Sequence, residues 1–124
     1  NKDLIQIVMA HHVPYAATAS VANIPDLRKK LEKAKSVKGC RVLHIMSPCP
    51  TGWGYKMEKT VEVAREAMNS GAWVLLEYEG GKVKLGKKPK NLGDVDKYFS
   101  MQKRFKGIDS GFFIGEYSLC LSGS

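Results

Sequence analysis

Two short apolar runs with an amphipathic helical stretch between them constrain this chain more than any other feature. Val13 to Ala19 is short, apolar and partly β-branched or aromatic, and it reads as a buried strand. Arg41 to Ser47 reads the same way: Val42, Leu43, Ile45 and Met46 are nearly continuous, as in a strand buried on both faces. Between them, Pro25 and Asp26 open a helix, since proline suits a first turn and an acid complements the helix dipole. Leu27, Leu31, Ala34 and Val37 form its apolar stripe, with Arg28, Lys29, Lys30 and Lys33 outside and Gly39 as C-cap. Strand, helix and strand in this order predict a right-handed crossover in a parallel sheet, hence an α/β fold.

The flanking stretches add to that frame. Leu4, Ile5, Ile7 and Val8 after Asp3 predict a short capped helix over residues 3–12, broken at His12-Val13-Pro14. Residues 48–59 read as an irregular loop. Thr60 to Ser70 reads as a helix with Val61, Ala64 and Met68 on one side and Gly71 after it. Trp73 to Tyr78 and Lys82 to Leu85 flank Gly80-Gly81, the signature of a tight hairpin. Asp94 is expected to cap a last helix through about Lys106, with Val95, Tyr98, Phe99, Met101 and Phe105 as its apolar contacts. Residues 107–124 are rich in Gly and Ser but also hold Phe112, Phe113 and Leu119, and they take no assignment. Residues 1–106 are therefore read as one domain and 107–124 as an unassigned tail.

Composition narrows the class. The 124 residues suffice for one domain with a modest core. Hydrophobic residues make up 44% and charged residues 26%, an ordinary globular balance. No apolar run approaches the roughly 20 residues of a membrane helix, so no membrane partner is expected. Residues 1–12 lack the pattern of a secretory leader, and a first residue Asn1 rather than Met suggests a fragment or a processed chain. The net charge is +8 and unevenly spread. Residues 82–106 hold Lys82, Lys84, Lys87, Lys88, Lys90, Lys97, Lys103, Arg104 and Lys106 against Asp94 and Asp96. An acidic protein, a nucleic acid or an anionic surface would suit this run; a solvated face is the plainer alternative.

The three cysteines, Cys40, Cys49 and Cys120, make no CxxC pair, so reduced thiols of a cytoplasmic protein fit better than a disulfide framework. Cys49 is the informative one. It lies in Ser47-Pro48-Cys49-Pro50-Thr51-Gly52-Trp53, just past the carboxyl end of a strand, where ligands gather in open α/β sheets. Two prolines stiffen its backbone. Iron–sulfur ligands are often followed by proline, Gly52 permits close approach of a bulky group, and Trp53 could exclude water from it. One cysteine cannot hold a cluster, and a lone cysteine is more often a small buried hydrophobe.

Three stretches in order resemble one known family. They are Val13-Pro14-Tyr15-Ala16-Ala17-Thr18-Ala19-Ser20, then Ser47 through Trp53, and Lys59-Thr60-Val61-Glu62-Val63-Ala64-Arg65 followed by the Trp73 hairpin and the Tyr98 to Lys106 helix. Over roughly residues 3 to 106 the chain resembles the carboxy-terminal part of the thiamine diphosphate-binding beta subunit of the 2-oxoacid:ferredoxin oxidoreductases. Pro-Cys-Pro-Thr-Gly-Trp is the specific motif. The resemblance implies the distal part of a thiamine diphosphate-binding fold, with parallel strands and crossover helices plus a hairpin and a C-terminal helix. It implies that Cys49 is the fourth ligand of a 4Fe–4S cluster. The family's other three ligands come from an amino-terminal Cys-Pro-x-Cys-Gly segment and a further cysteine downstream of it. Its Gly-Asp-Gly…Asn motif holds the diphosphate through Mg²⁺. Neither motif is in this chain, and both are expected upstream of residue 1. The implied reaction is CoA-dependent oxidative decarboxylation of a 2-oxoacid, pyruvate first, with electrons passing to ferredoxin; the branched-chain 2-oxoacid type looks alike in this region. The implied partners are the other subunits of the complex, ferredoxin, the 2-oxoacid and CoA. The fragment alone should be inactive.

The remaining candidates have plainer readings. His44 lies five residues before Cys49 in sequence, but its apolar neighbours suit a satisfied core histidine better than a nucleophile's partner. His11 and His12 suit a helix end, where positive charge is favoured. Thr18 and Ser20 stand at a strand's carboxyl edge, where they could approach a cofactor, but capping the next helix is preferred. Cys40 reads as structural and Cys120 as incidental. A non-enzymatic basic interaction domain remains the alternative class; nucleic acid is not the expected partner, because Tyr98, Phe99 and Phe105 have core-like helical spacing.

Overall fold

The first apolar run forms strand β1 (Tyr15–Ser20), buried at all six positions. The computed structural model describes residues 3–92 and 94–108. The described residues fall into two units, 3–47 with 74–88, and 48–73 with 89–92 and 94–108.

The first unit is built on a sheet of order β2-β1-β3-β4. Strand β2 (Arg41–Met46) runs parallel to β1, from Tyr15 opposite Arg41 to Ser20 opposite Met46. Strands β3 (Leu76–Glu79) and β4 (Lys82–Leu85) form an antiparallel hairpin, and β3 is antiparallel to β1. The predicted parallel pair is present, inside a mixed sheet. Helix α1 (Leu4–Ala10) is capped by Asp3, whose carboxylate accepts from Gln6 N–H at 3.1 Å. Helix α2 (Ile24–Ser36) is capped by the Asn23 side chain. Because side chains alternate along a strand, β1 serves two cores at once. Ala16 packs with Tyr78 and Ile5 of α1, and Tyr15 and Ala17 pack with Ala34 of α2. Alanines at these positions let each helix approach the sheet closely.

Several expectations need correcting here. Strand β2 is not buried on both faces: it stands at the sheet edge among the described residues, mostly half-exposed, with Ile45 39% exposed. Lys30 is not on the outer face of α2. It is 2% exposed and turns back toward β1, while Leu31 is the exposed one at 40%. Gly39 does not cap α2, whose cap is Val37; Gly39 has φ +99° and its missing Cβ makes room for Pro14. Thr18 and Ser20 do not cap the helix. Thr18 Oγ1 donates to the Val74 carbonyl at 2.6 Å and accepts from Leu76 N–H at 2.8 Å, clipping the start of β3 to β1. Ser20 Oγ accepts from Ala22 N–H in the turn that follows.

In the second unit, residues 48–59 are not an irregular loop. They contain a short helix α3 (Pro50–Trp53) and a 3₁₀ turn, Met57–Lys59. Helix α4 (Thr60–Ser70) has the expected bounds and ends on Gly71 in the left-handed region. Its buried face is Val63, Ala64 and Ala67; Val61 is 49% exposed. The last helix is shorter than expected. Helix α5 (Asp96–Ser100) has Val95 rather than Asp94 at its N-cap and gives way to a 3₁₀ turn, Lys103–Phe105. The break falls at Gln102, whose backbone is extended (φ −132°, ψ 122°) and whose Nε2, rather than its backbone N–H, donates to the Tyr98 carbonyl, at 2.7 Å. That N–H bonds Phe99 O instead. Phe99 and Phe105 then stack at 4.2 Å between centroids. Phe112, Phe113, Leu119 and Cys120 lie outside the described residues.

Candidate functional site

The motif read from the sequence forms one compact turn. Pro48 is buried and Cys49 exposed. Cys49 is the N-cap residue of α3, in an extended conformation, and its Sγ accepts a hydrogen bond from Gly52 N–H at 3.4 Å. Pro50 takes the first helical position, where its missing N–H costs nothing. The turn closes through Trp53 N–H to Cys49 O and Gly54 N–H to Pro50 O, each at 2.9 Å. Gly54 leaves it with φ +71°.

This geometry suits a metal-bound thiolate. An N–H pointing at sulfur stabilises the anion and is one of the levers that set iron–sulfur potentials. A Cβ built on Gly52 would meet only Cys49's own Sγ, at 3.5 Å, and Cβ. The protein's own packing therefore does not require glycine there, and the flank of the thiol stays open. The residues present fit one ligand. Among the described residues no three His, Cys, Asp or Glu side chains gather to hold a metal ion.

The far side of the turn is held by residues fifty positions away in sequence. Lys103 N–H donates to Gly54 O at 3.1 Å. The Arg104 guanidinium lies over the Trp53 ring, 3.6 Å from its centroid. The Tyr55 hydroxyl is buried without a hydrogen-bond partner in the described structure. Burial pushes the Tyr98 phenol above its ordinary pKa, and the nearby Arg104 charge opposes the shift. Next to these residues is a cavity of about 700 Å³ with Tyr55, Phe99 and Phe105 among its walls and Lys56, Lys103 and Lys106 around it. Lys59, also at its edge, pairs with Glu62 at 2.7 Å, which raises the lysine pKa and lowers that of the carboxyl.

The other sequence candidates belong to the first unit. Cys40 is exposed rather than buried in a strand. His44 stands half-buried in β2, in register with Thr18. His11 and His12 are exposed past α1, His12 with φ 52°. Sequence reading missed Gln102, Lys103 and Arg104 as supports of the turn. No local signal in the sequence pairs these three residues with the turn, which lies about fifty positions earlier.

No protein-family model matches the chain. Known proteins do. The chain is related over most of its length to the beta subunits of the 2-oxoacid:ferredoxin oxidoreductases. It is 40% identical over 107 residues to the pyruvate synthase subunit PorB of Methanocaldococcus jannaschii, covering 86% of this chain and 36% of that protein. It is 43% identical over 110 residues to the ketoisovalerate oxidoreductase subunit VorB of Pyrococcus abyssi, covering 85% of this chain and 34% of that protein. A shorter match, 48% identical over 77 residues, joins 62% of the chain to 23% of the pyruvate synthase subunit PorB of Pyrococcus horikoshii. The chain spans about a third of the length of the first two relatives.

Proposed function

We propose that this chain is the carboxy-terminal part of the beta subunit of a cytoplasmic pyruvate:ferredoxin oxidoreductase, and that Cys49 supplies one ligand of its 4Fe–4S cluster. The observation that carries the reading is the identity to pyruvate synthase subunits over most of the chain. The Cys49 turn supports the ligand assignment: an exposed thiol, an N–H donor on its sulfur and an open flank.

When bound, thiamine diphosphate with Mg²⁺ supplies the decarboxylation chemistry, and the cluster carries electrons one at a time toward ferredoxin while the acyl group passes to CoA. This chain's residues hold and tune. Cys49 offers a soft thiolate, which iron prefers to harder donors. Gly52 N–H withdraws charge from its sulfur. Trp53, half-buried beside it, keeps water from one side of the turn. The lysines from Lys82 onward offer positive charge to an acidic surface, on ferredoxin or on another subunit.

A second reading, a branched-chain 2-oxoacid oxidoreductase, has an observation of its own. The ketoisovalerate oxidoreductase subunits match as well as the pyruvate synthase subunits do. The experiment is reduction of methyl viologen by the complete oxidoreductase, with CoA and either pyruvate or 3-methyl-2-oxobutanoate. CoA-dependent reduction, faster with pyruvate, is the expected result. Faster turnover of the branched substrate would establish the second reading. No reduction with either would overturn both and favour a non-enzymatic basic interaction domain.

A further inference from the structure

Arg104 is exposed, yet its guanidinium is held from several sides. Its Cζ lies over the Trp53 ring, 3.6 Å from the centroid, and over the Phe105 ring, 4.4 Å from that centroid. Its Nε donates to Gln102 Oε1 at 2.9 Å and its Nη2 to the Tyr98 hydroxyl at 3.1 Å. Gln102 is itself 3% exposed and fixed by its bond to the Tyr98 carbonyl. A surface arginine normally samples many rotamers, so ordering it this fully must be offset by the stack and the two bonds. One residue earlier, Lys103 N–H holds Gly54 O, at an approach so close that a Cβ on Gly54 would come within 2.7 Å of Lys103 Cβ. The segment thus grips the Cys49 turn at two adjacent points, the last helical residue of α3 and its C-cap.

We propose that Arg104 is a positioning residue for Cys49: its guanidinium, braced by Gln102 and Tyr98, clamps Trp53 and so fixes the direction in which α3 presents the Cys49 sulfur at its N-terminus. The consequence for an iron–sulfur centre rests on the ligand assignment made above; the clamp itself does not. The backbone N–H of Trp53 bonds Cys49 O, so any shift of the Trp53 backbone that loss of the clamp allows passes to the cysteine. Arginine is specific to this task. Lysine would keep the charge but not the plane that covers the ring.

The test uses the complete subunit with Arg104→Met, Arg104→Lys, Trp53→Leu and the pair Arg104→Met with Trp53→Leu. One readout is the rate at which iodoacetamide alkylates Cys49 after iron has been removed by chelation, mapped by mass spectrometry. The other is the EPR spectrum and reduction potential of the reduced centre, which a merely stabilising role would leave alone. Arg104→Met and Arg104→Lys should each raise alkylation about two- to fivefold, the ratio corresponding to one cation–π contact at an exposed site. Both should also shift the g-values. The double variant should go no further than either single one, because both residues act through one stack. Parent-like rates and spectra in both Arg104 variants would overturn the proposal. So would a change in Arg104→Met with Arg104→Lys unaffected, which would assign the effect to charge alone. If Cys49→Ser kept its full iron, the ligand assignment would fall, and the alkylation rates would still decide the clamp.

Discussion

Lys30 donates from its ammonium to the carbonyl oxygen of Thr18 at 2.8 Å, reaching back from α2 to the end of β1. The same nitrogen lies 2.7 Å from the Asp26 carboxylate one turn earlier. A buried charge survives when it is paired and hydrogen-bonded, and here both conditions hold. Lys30→Met keeps the aliphatic stem but strands the Thr18 carbonyl and the Asp26 charge. It should cost about 1–3 kcal/mol of stability, the penalty for an unsatisfied buried group. Urea unfolding of the complete subunit measures it; a change under about 0.5 kcal/mol, typical of surface substitutions, would show that the bond is incidental.

Tyr15 gives a pH dependence with a definite sign. It is fully buried, and its hydroxyl donates to Glu77 at 2.8 Å. Burial, and after it the Glu77 hydrogen bond and carboxylate charge, raises its pKa well above the ordinary 10.0. The folded state therefore favours the neutral phenol. The resulting stability is complete below the unfolded pKa near 10 and is lost as pH rises from there toward the folded value. Stability should fall as pH rises above about 10, and Tyr15→Phe should flatten that fall. An equal slope in Tyr15→Phe would place the alkaline sensitivity elsewhere.

Two glycines with positive φ should respond differently to alanine. At Gly80, φ is +55° and nothing lies within 4 Å of a Cβ, so only backbone strain of about 1 kcal/mol is expected. At Gly54, φ is +71° and the Cβ would collide with Lys103 Cβ, so the total should reach about 2–4 kcal/mol. Thermal melts of the two variants, side by side, decide this; equal losses would mean that the contact at Gly54 relaxes freely.

These responses also mark what could be read from the sequence. The β1–α2–β2 unit, the hairpin at Gly80-Gly81 and the bounds of α4 all follow from local patterns, because apolar period, caps and turn glycines are local signals. The failures share a different cause. Lys30 looks like an outer-face residue until β1 offers its carbonyl. The helix expected through Lys106 stops at Gln102, where the backbone turns extended and the side chain, not the backbone N–H, bonds the Tyr98 carbonyl. Strand β2 has the composition of a doubly covered strand but stands at an edge among the described residues. Arg104 sits in a run of basic residues that reads as solvated, and only the folded turn brings Trp53 beneath it. Each depends on a partner distant in sequence, which periodicity cannot reveal.

The basic stretch carries an electrostatic prediction. Lys87 and Lys88 are both exposed. If ferredoxin docks here as proposed, reversing them together to glutamate should slow its association with the complete subunit most at low salt, and the difference should shrink as the Debye length falls from about 30 Å to 8 Å. Association equally fast at every ionic strength would leave these lysines as a solvated face.

Cys49→Ser in the complete subunit tests the central claim most directly, by iron and acid-labile sulfide analysis beside Cys40→Ser. A hydroxyl is a poor replacement for a soft thiolate on iron, so Cys49→Ser should lose iron and sulfide while Cys40→Ser, exposed just before β2, keeps the parent content. Full iron, full sulfide and undiminished electron transfer in Cys49→Ser would contradict the assignment of Cys49 as a cluster ligand.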